Sequence, residues 1–169
     1  MEPITAAFDQ QFLELHSKRI RLLDAADPQL IYAVATIVQR SMMSHTFGEM
    51  LLRSAAVVEQ ISGGITARLW DDPFEWTLPE KLNTKELILE YFDEVETSRK
   101  RAFSFILSDN DLTRNIPSPE EFRSIALIFA SAISKSSGHL AKAEELYKVA
   151  EDLRSMMNDP KQPSSYFVN

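Results

Sequence analysis

The stretch that decides the fold is residues 125–153, which read IALIFASAISKSSGHLAKAEELYKVAEDL. Along it, apolar residues recur at alternating steps of four and three, the spacing of a buried seam on a packed helix. The seam consists of Ile125, Phe129, Ala132, Ser136, His139, Ala143, Leu146, Ala150 and Leu153. Only Ser136 and His139 are polar, so we expect a polar interruption near the middle of a buried helix face.

Prolines divide the rest of the chain, because proline is excluded from helix interiors. They leave four stretches that are each long enough for a major helix: 4–27, 29–72, 80–116 and 120–159. Runs of alternating β-branched residues are missing, so we expect no strands. The sequence therefore predicts an all-α four-helix bundle in residues 1–157, followed by a loose tail over 158–169.

Turn and capping residues predict where the helices begin and end. The first helix should cover Ile4 to Ala25, and the second should lie within Gln29 to Ser62. Gly63 and Gly64 are expected to stop the second helix, because glycine accepts the left-handed cap conformation. The third helix should begin near Asn83, which has capping-box spacing to Glu86. A capping serine followed by proline and two glutamates, Ser118-Pro119-Glu120-Glu121, predicts the start of the fourth helix.

A long connection between the second and third helices, about residues 65–82, contains both tryptophans, Trp70 and Trp76. Exposed indole rings would leave a large apolar patch in water. We therefore expect both rings to be at least half buried against the bundle.

Composition excludes several classes of function. Lys and Arg total 18 against 25 Asp and Glu, a net charge of −7, which argues against a nucleic-acid surface. No cysteine is present, which excludes disulfides, thiolate metal sites and a cysteine nucleophile. No apolar run approaches a membrane span, and the N-terminus lacks the pattern of a signal peptide, so we expect a cytoplasmic protein.

The predicted second helix has a polar interruption of its own at His45. Glu49 follows it by four residues, which makes the two side chains neighbours on a helix. Gly48 on the same face would permit close approach by another helix or a ligand. His16 is assigned to the flank of the first helix. Two inward histidines and a carboxylate either satisfy one another or hold a metal.

These features resemble the DinB/YfiT-like superfamily of four-helix bundles, which have a long crossover between helices two and three. The resemblance covers about residues 8–157 and rests on four short segments. They are residues 40–49 (RSMMSHTFGE), 70–79 (WDDPFEWTLP), 91–96 (YFDEVE) and 136–143 (SSGHLAKA).

The resemblance implies a divalent transition metal, zinc or nickel, held by one histidine of the second helix and two of the fourth. His45 matches the first ligand and His139 the last, but Lys135 replaces the third histidine, which leaves Glu49 as the substitute. It also implies a homodimer and a thiol-dependent small-molecule transferase or hydrolase. The alternative is a metal-free bundle that binds a small-molecule ligand or a protein, since an ammonium group has no lone pair to donate to a metal.

Overall fold

The computed structural model describes residues 1–33, 45–73, 80–119 and 121–157. Over these ranges the chain is mostly helical, with four α-helices and one small antiparallel sheet. The helices are α1 (Pro3–Ala25), α2 (Phe47–Ala67), α3 (Lys85–Ser104) and α4 (Ile125–Met157). The strands are β1 (Asn115–Pro117) and β2 (Phe122–Ser124). The expected helical class is confirmed, while the predicted tail at 158–169 lies outside the described residues.

The first helix matches the prediction, and a distant side chain caps it. Pro3 occupies its first turn, where a missing N–H costs nothing. The carboxylate of Asp109 accepts hydrogen bonds from the backbone N–H groups of Ile4 and Thr5, at 3.0 and 2.8 Å. Asp109 belongs to a short 3₁₀ turn, Asp109–Thr113, after α3. The start of α1 is therefore fixed by a contact that no local sequence signal contains.

The second helix begins within the predicted range but ends later than predicted. Thr46 is its N-cap and forms a capping box with Glu49, so α2 starts at Phe47. The helix passes through Gly63 and Gly64 and ends at Arg68, which adopts a left-handed conformation with φ of 59°. The prediction that the two glycines stop the helix was wrong. A non-glycine residue takes the left-handed cap in their place.

The two glycines instead make room for the chain that turns back after α2. A Cβ atom on Gly63 would lie 2.9 Å from the carbonyl oxygen of Leu69. A Cβ atom on Gly64 would lie 2.5 Å from the indole ring of Trp70. The Trp70 ring therefore rests directly on the α2 backbone and is more than half buried, as predicted. Trp76, for which the same prediction was made, lies outside the described residues.

The cap of the third helix lies one residue after the predicted cap. Thr84, not Asn83, is the N-cap, and its hydroxyl accepts the backbone N–H of Leu87 at 3.3 Å. The prediction of Asn83 as the cap was wrong by one residue, because asparagine and threonine are both N-cap residues and stand side by side here. The apolar positions of this segment are buried as expected: Ile88, Tyr91, Val95, Ala102 and Ile106.

A β-hairpin precedes α4, where the sequence predicted the first turn of the helix and no strands. The backbone N–H of Ser118 bonds the carbonyl of Glu121 at 3.0 Å and closes the turn between β1 and β2. Ser-Pro is a signal for turns as well as for helix starts, and here the turn is formed. The residue that caps α4 is Ser124, whose hydroxyl accepts the backbone N–H of Leu127 at 3.3 Å.

The long fourth helix carries the predicted seam without interruption through Gly138. Six of its nine positions are buried: Ile125, Phe129, Ala132, Ser136, Ala143 and Ala150. The other three are partly buried. Helix α2 packs against α3 and α4, and α1 packs against the same two helices. The seam of α4 therefore faces the common core, as its spacing predicted.

Within the described ranges, no helix combines the length and the apolar character needed to cross a membrane.

Candidate functional site

The two polar members of the α4 seam have different surroundings. Ser136 is fully buried, and its hydroxyl donates to the backbone carbonyl of Ser54 on α2 at 3.0 Å. The hydroxyls of Ser54 and Ser136 are themselves 2.8 Å apart. His139, three residues further along α4, is only partly buried. The polar interruption is thus a direct bridge between α2 and α4, with His139 beside it.

His45 does not lie inside a helix. It precedes the Thr46 cap, so the argument that His45 and Glu49 are neighbours on one helix was wrong. The Glu49 carboxylate instead accepts the backbone N–H of Thr46 at 2.6 Å. Gly48 does permit a close approach, as expected, and the approaching groups are Ile31 and Tyr32 of the same chain.

Positive charge surrounds His139. Burial lowers the pKa of its imidazole, and the charges of Arg53, His45 and Lys135 lower that pKa further. The charge of His45 thus affects the His139 imidazole, while the shared site of the two histidines stays a prediction. The structure also places two permanent cations, Arg53 and Lys135, close enough to His139 to affect its titration.

The cations beside His139 disfavour a divalent metal at this donor set. The described residues contain no group of three or more histidine, aspartate or glutamate side chains that are placed to share an ion. The cations near His139 are Arg53 and Lys135, which repel a metal and have no lone pair to offer it. The site of His45, His139 and Glu49 stays a prediction, and the local charges argue against it.

The sequence analysis did not single out Arg19, yet its guanidinium lies in the core. It is almost completely buried, and its Nη1 donates to the hydroxyl of Ser54 at 3.3 Å and to that of Ser136 at 3.4 Å. Among the described residues no carboxylate forms an ion pair with it, and its Nε has no partner. Burial lowers its pKa to about 10. The spacing Leu15, Arg19, Leu23 places it on the buried face of α1, which is the signal that could have found it.

His16 points inward next to Arg19, and does not lie on the flank of α1. It is 8% exposed, and its Nδ1 has no hydrogen-bond partner among the described residues. Burial lowers its pKa, and so does the neighbouring charge of Arg19, against the opposite effect of Glu96. Glu96 is held by Arg99, which donates to both of its carboxylate oxygens at 2.7 Å. His16 thus belongs to a polar cluster between α1 and α3.

His16 of this cluster and His139 of α4 are expected to make the free energy of unfolding depend on pH. The folded-state pKa values of His16 and His139 lie below the ordinary 6.5, so the unfolded chain takes up protons first as the pH falls. The free energy of unfolding should therefore decrease from about pH 7.5 to about pH 5.5, above the range in which ordinary carboxylates titrate. Urea titrations across that range should show a smaller decrease for His16→Gln than for the wild type. An equal decrease in both proteins would contradict the assignment to His16.

A cavity of about 280 Å³ lies between α2 and α4, next to the Ser54–Ser136 bridge. Apolar side chains form part of its lining, with Val57 and Ile61 one turn apart on α2 and Ile128 and Ala132 one turn apart on α4. Gln60 of α2 adds a polar group beside them. Trp70 and residues of the β-hairpin complete the lining. The glycine contact described above fixes the indole ring at this place. The cavity is therefore built by the same features that shape the end of α2.

Polar and charged groups from α4 and the β-hairpin also line this cavity. Ser131 and Lys135 follow each other by one turn on α4, and Arg123 comes from β2. Arg123 pairs with Glu121 at 3.0 Å, whereas no carboxylate of the described residues forms an ion pair with Lys135. The family pattern would place a metal-ligating histidine at this position, and the chain has a cation there instead, Lys135, at the edge of the cavity. Comparison of the chain with protein-family models, curated proteins and solved structures finds no significant match.

Proposed function

We propose that this chain is a metal-free ligand-binding domain whose site is the cavity between α2 and α4. The observation that carries the proposal is the position of Lys135, which lines that cavity and also lowers the pKa of His139. A cation at this point repels a metal and attracts a polar ligand. The cavity is a concave space that combines apolar side chains with polar and charged ones, and small-molecule sites are built from both kinds of group.

The proposal includes a four-helix bundle as the frame of the site. Support comes from the packing of α2 and of α1 against both α3 and α4, and from the continuous seam of α4. In such a bundle, ligand sites lie between facing helices. The bridge between Ser54 and Ser136 sets the register of α2 on α4 and hence the shape of the cavity.

Metal content tests this proposal directly. Protein purified without an affinity tag, incubated with zinc or nickel and then desalted, should retain well under one metal ion per chain by elemental analysis. The same protein should give resonance shifts at Val57 and Ile61 when small molecules are screened by amide NMR. Retention of one ion per chain that is lost in His139→Ala, and kept in His16→Ala, would overturn the metal-free assignment.

A metal-dependent transferase is the second candidate. The observation that favours it is the electrostatic proximity of His45 and His139, the two histidines that match the family pattern. With no cysteine in the chain, such an enzyme needs an external thiol or water as its nucleophile. The variants His45→Ala and His139→Ala should then lower metal retention to the same extent, because both would be ligands of one ion.

A further inference from the structure

The charges of the α2–α4 cavity are one-sided in a chain whose net charge is −7. Lys135 and Arg123 line it, and no carboxylate of the described residues does so. A second cavity, of about 410 Å³ between α1 and α4, has charges of both signs, with Glu14 beside Lys18 and Arg21. The two cavities therefore differ in their charges: two cations and no carboxylate line the first, whereas two cations and one carboxylate line the second.

The arrangement of side chains in the first cavity is amphipathic. Two apolar rows face each other, Val57 with Ile61 on α2 and Ile128 with Ala132 on α4. On α4, the polar row of Ser131 and Lys135 lies next to the apolar row of Ile128 and Ala132. Each polar residue comes three positions after an apolar one, and Ser131 also directly precedes Ala132. A ligand that fills this space would place an apolar body between the helices and its polar end beside Lys135.

From this geometry we propose that the ligand is an organic anion with an apolar body, such as a medium-chain carboxylate. This inference rests on the proposed ligand-binding function and adds the class of ligand. Lys135 supplies the charge that recognises the anionic end, since Arg123 is already paired with Glu121. The apolar rows and the face of Trp70 supply the surface that the body of the ligand removes from water.

Binding of a matched set of probes tests the ligand class. Octanoate should shift the amide resonances of Val57, Ile61 and Ala132 and change the fluorescence of Trp70. Octylamine has the same chain with the opposite charge, and acetate has the same head without the body, so neither should do so at equal concentration. Shortening the chain from octanoate to hexanoate should weaken binding about tenfold, because two buried methylenes are lost.

Two variants locate the charged end of the ligand. Lys135→Gln should weaken octanoate binding about fivefold, the effect of losing a partly exposed ion pair. Lys142→Gln removes an exposed lysine two turns along the same helix, which pairs with Glu145, and should leave the affinity within about twofold. Both positions are exposed, so both variants should fold.

The outcomes separate this inference from the function on which it rests. If octylamine shifts the cavity resonances as strongly as octanoate, the cavity binds ligands but the anionic class is wrong. The class is also wrong if Lys135→Gln and Lys142→Gln have equal effects. If no probe of either charge shifts these resonances, the ligand-binding function itself fails, and this inference with it.

Discussion

Replacing Phe129 with alanine is expected to lower the free energy of unfolding by about 3–5 kcal/mol, the cost of a large cavity in a core. The ring is 1% exposed and lies at the centre of an aromatic cluster between three helices. Its centroid is 4.8 Å from that of Phe103 on α3 and 5.4 Å from those of Phe8 and Phe12 on α1. The substitution should therefore remove contacts to α1 and α3 together.

Urea unfolding followed by circular dichroism measures this loss. Leu127→Ala is the matched control, because Leu127 lies on the same helix but is 53% exposed, and it should cost no more than about 0.5 kcal/mol. Equal losses for the two variants would show that the cluster is not the centre of the core. Phe129→Leu should fall between them, since it keeps part of the apolar volume.

The second large effect is that two substitutions of Arg19 should change the free energy of unfolding in different directions. Lowering of its pKa from 12.5 to about 10 corresponds to a penalty on the order of 3 kcal/mol for holding the charge in the core. Arg19→Met fills a similar space without that penalty and should leave stability unchanged or raise it by about 1–3 kcal/mol. Arg19→Ala leaves a cavity and should lower stability by about 2–4 kcal/mol.

The serines that contact Arg19 make this comparison interpretable. Ser54 and Ser136 remain hydrogen-bonded to each other when the guanidinium is removed, so neither variant leaves them without a partner. Urea titrations of the two variants at neutral pH measure the difference. If methionine costs as much as alanine, then the attraction of Arg19 to Glu96 and the contact with the Phe92 ring outweigh the burial penalty.

Helix interiors were predictable from the sequence, whereas most helix ends, apart from those of α1, were not. The spacing of nine residues in α4 fixes which face is buried, because 3.6 residues per turn leaves only one face for a stripe of that length. The ends of a helix depend on residue types that occur in several kinds of local structure. Ser118-Pro119 serves a turn as well as a helix start, and Gly64 serves the Trp70 ring as well as a stop. Tertiary contacts decide between these uses, and a local reading of the chain does not contain them.

The candidate site was predictable only in part, for a similar reason. Ser136 and His139 stand out because polar residues on an apolar stripe need partners. Arg19 does not, since an arginine on an amphipathic helix normally extends to water. Lys135 becomes a candidate binding residue only because Val57 and Ile61, which are distant in the chain, lie across the cavity from it. A cavity is a property of two surfaces, and the sequence of one helix describes only one of them.

The Asp109 carboxylate at the start of α1 also bears on how the protein is made. Ile4 leaves the ribosome 105 residues before the side chain that caps it. The helices against which α1 packs are α3 and α4, which are synthesised later still than α2. Helix α1 is thus synthesised before the elements that secure it, and Phe12 and Leu23 on its inner face stay uncovered until those elements follow. During that interval the apolar face of α1 is open to chaperones that hold exposed apolar segments.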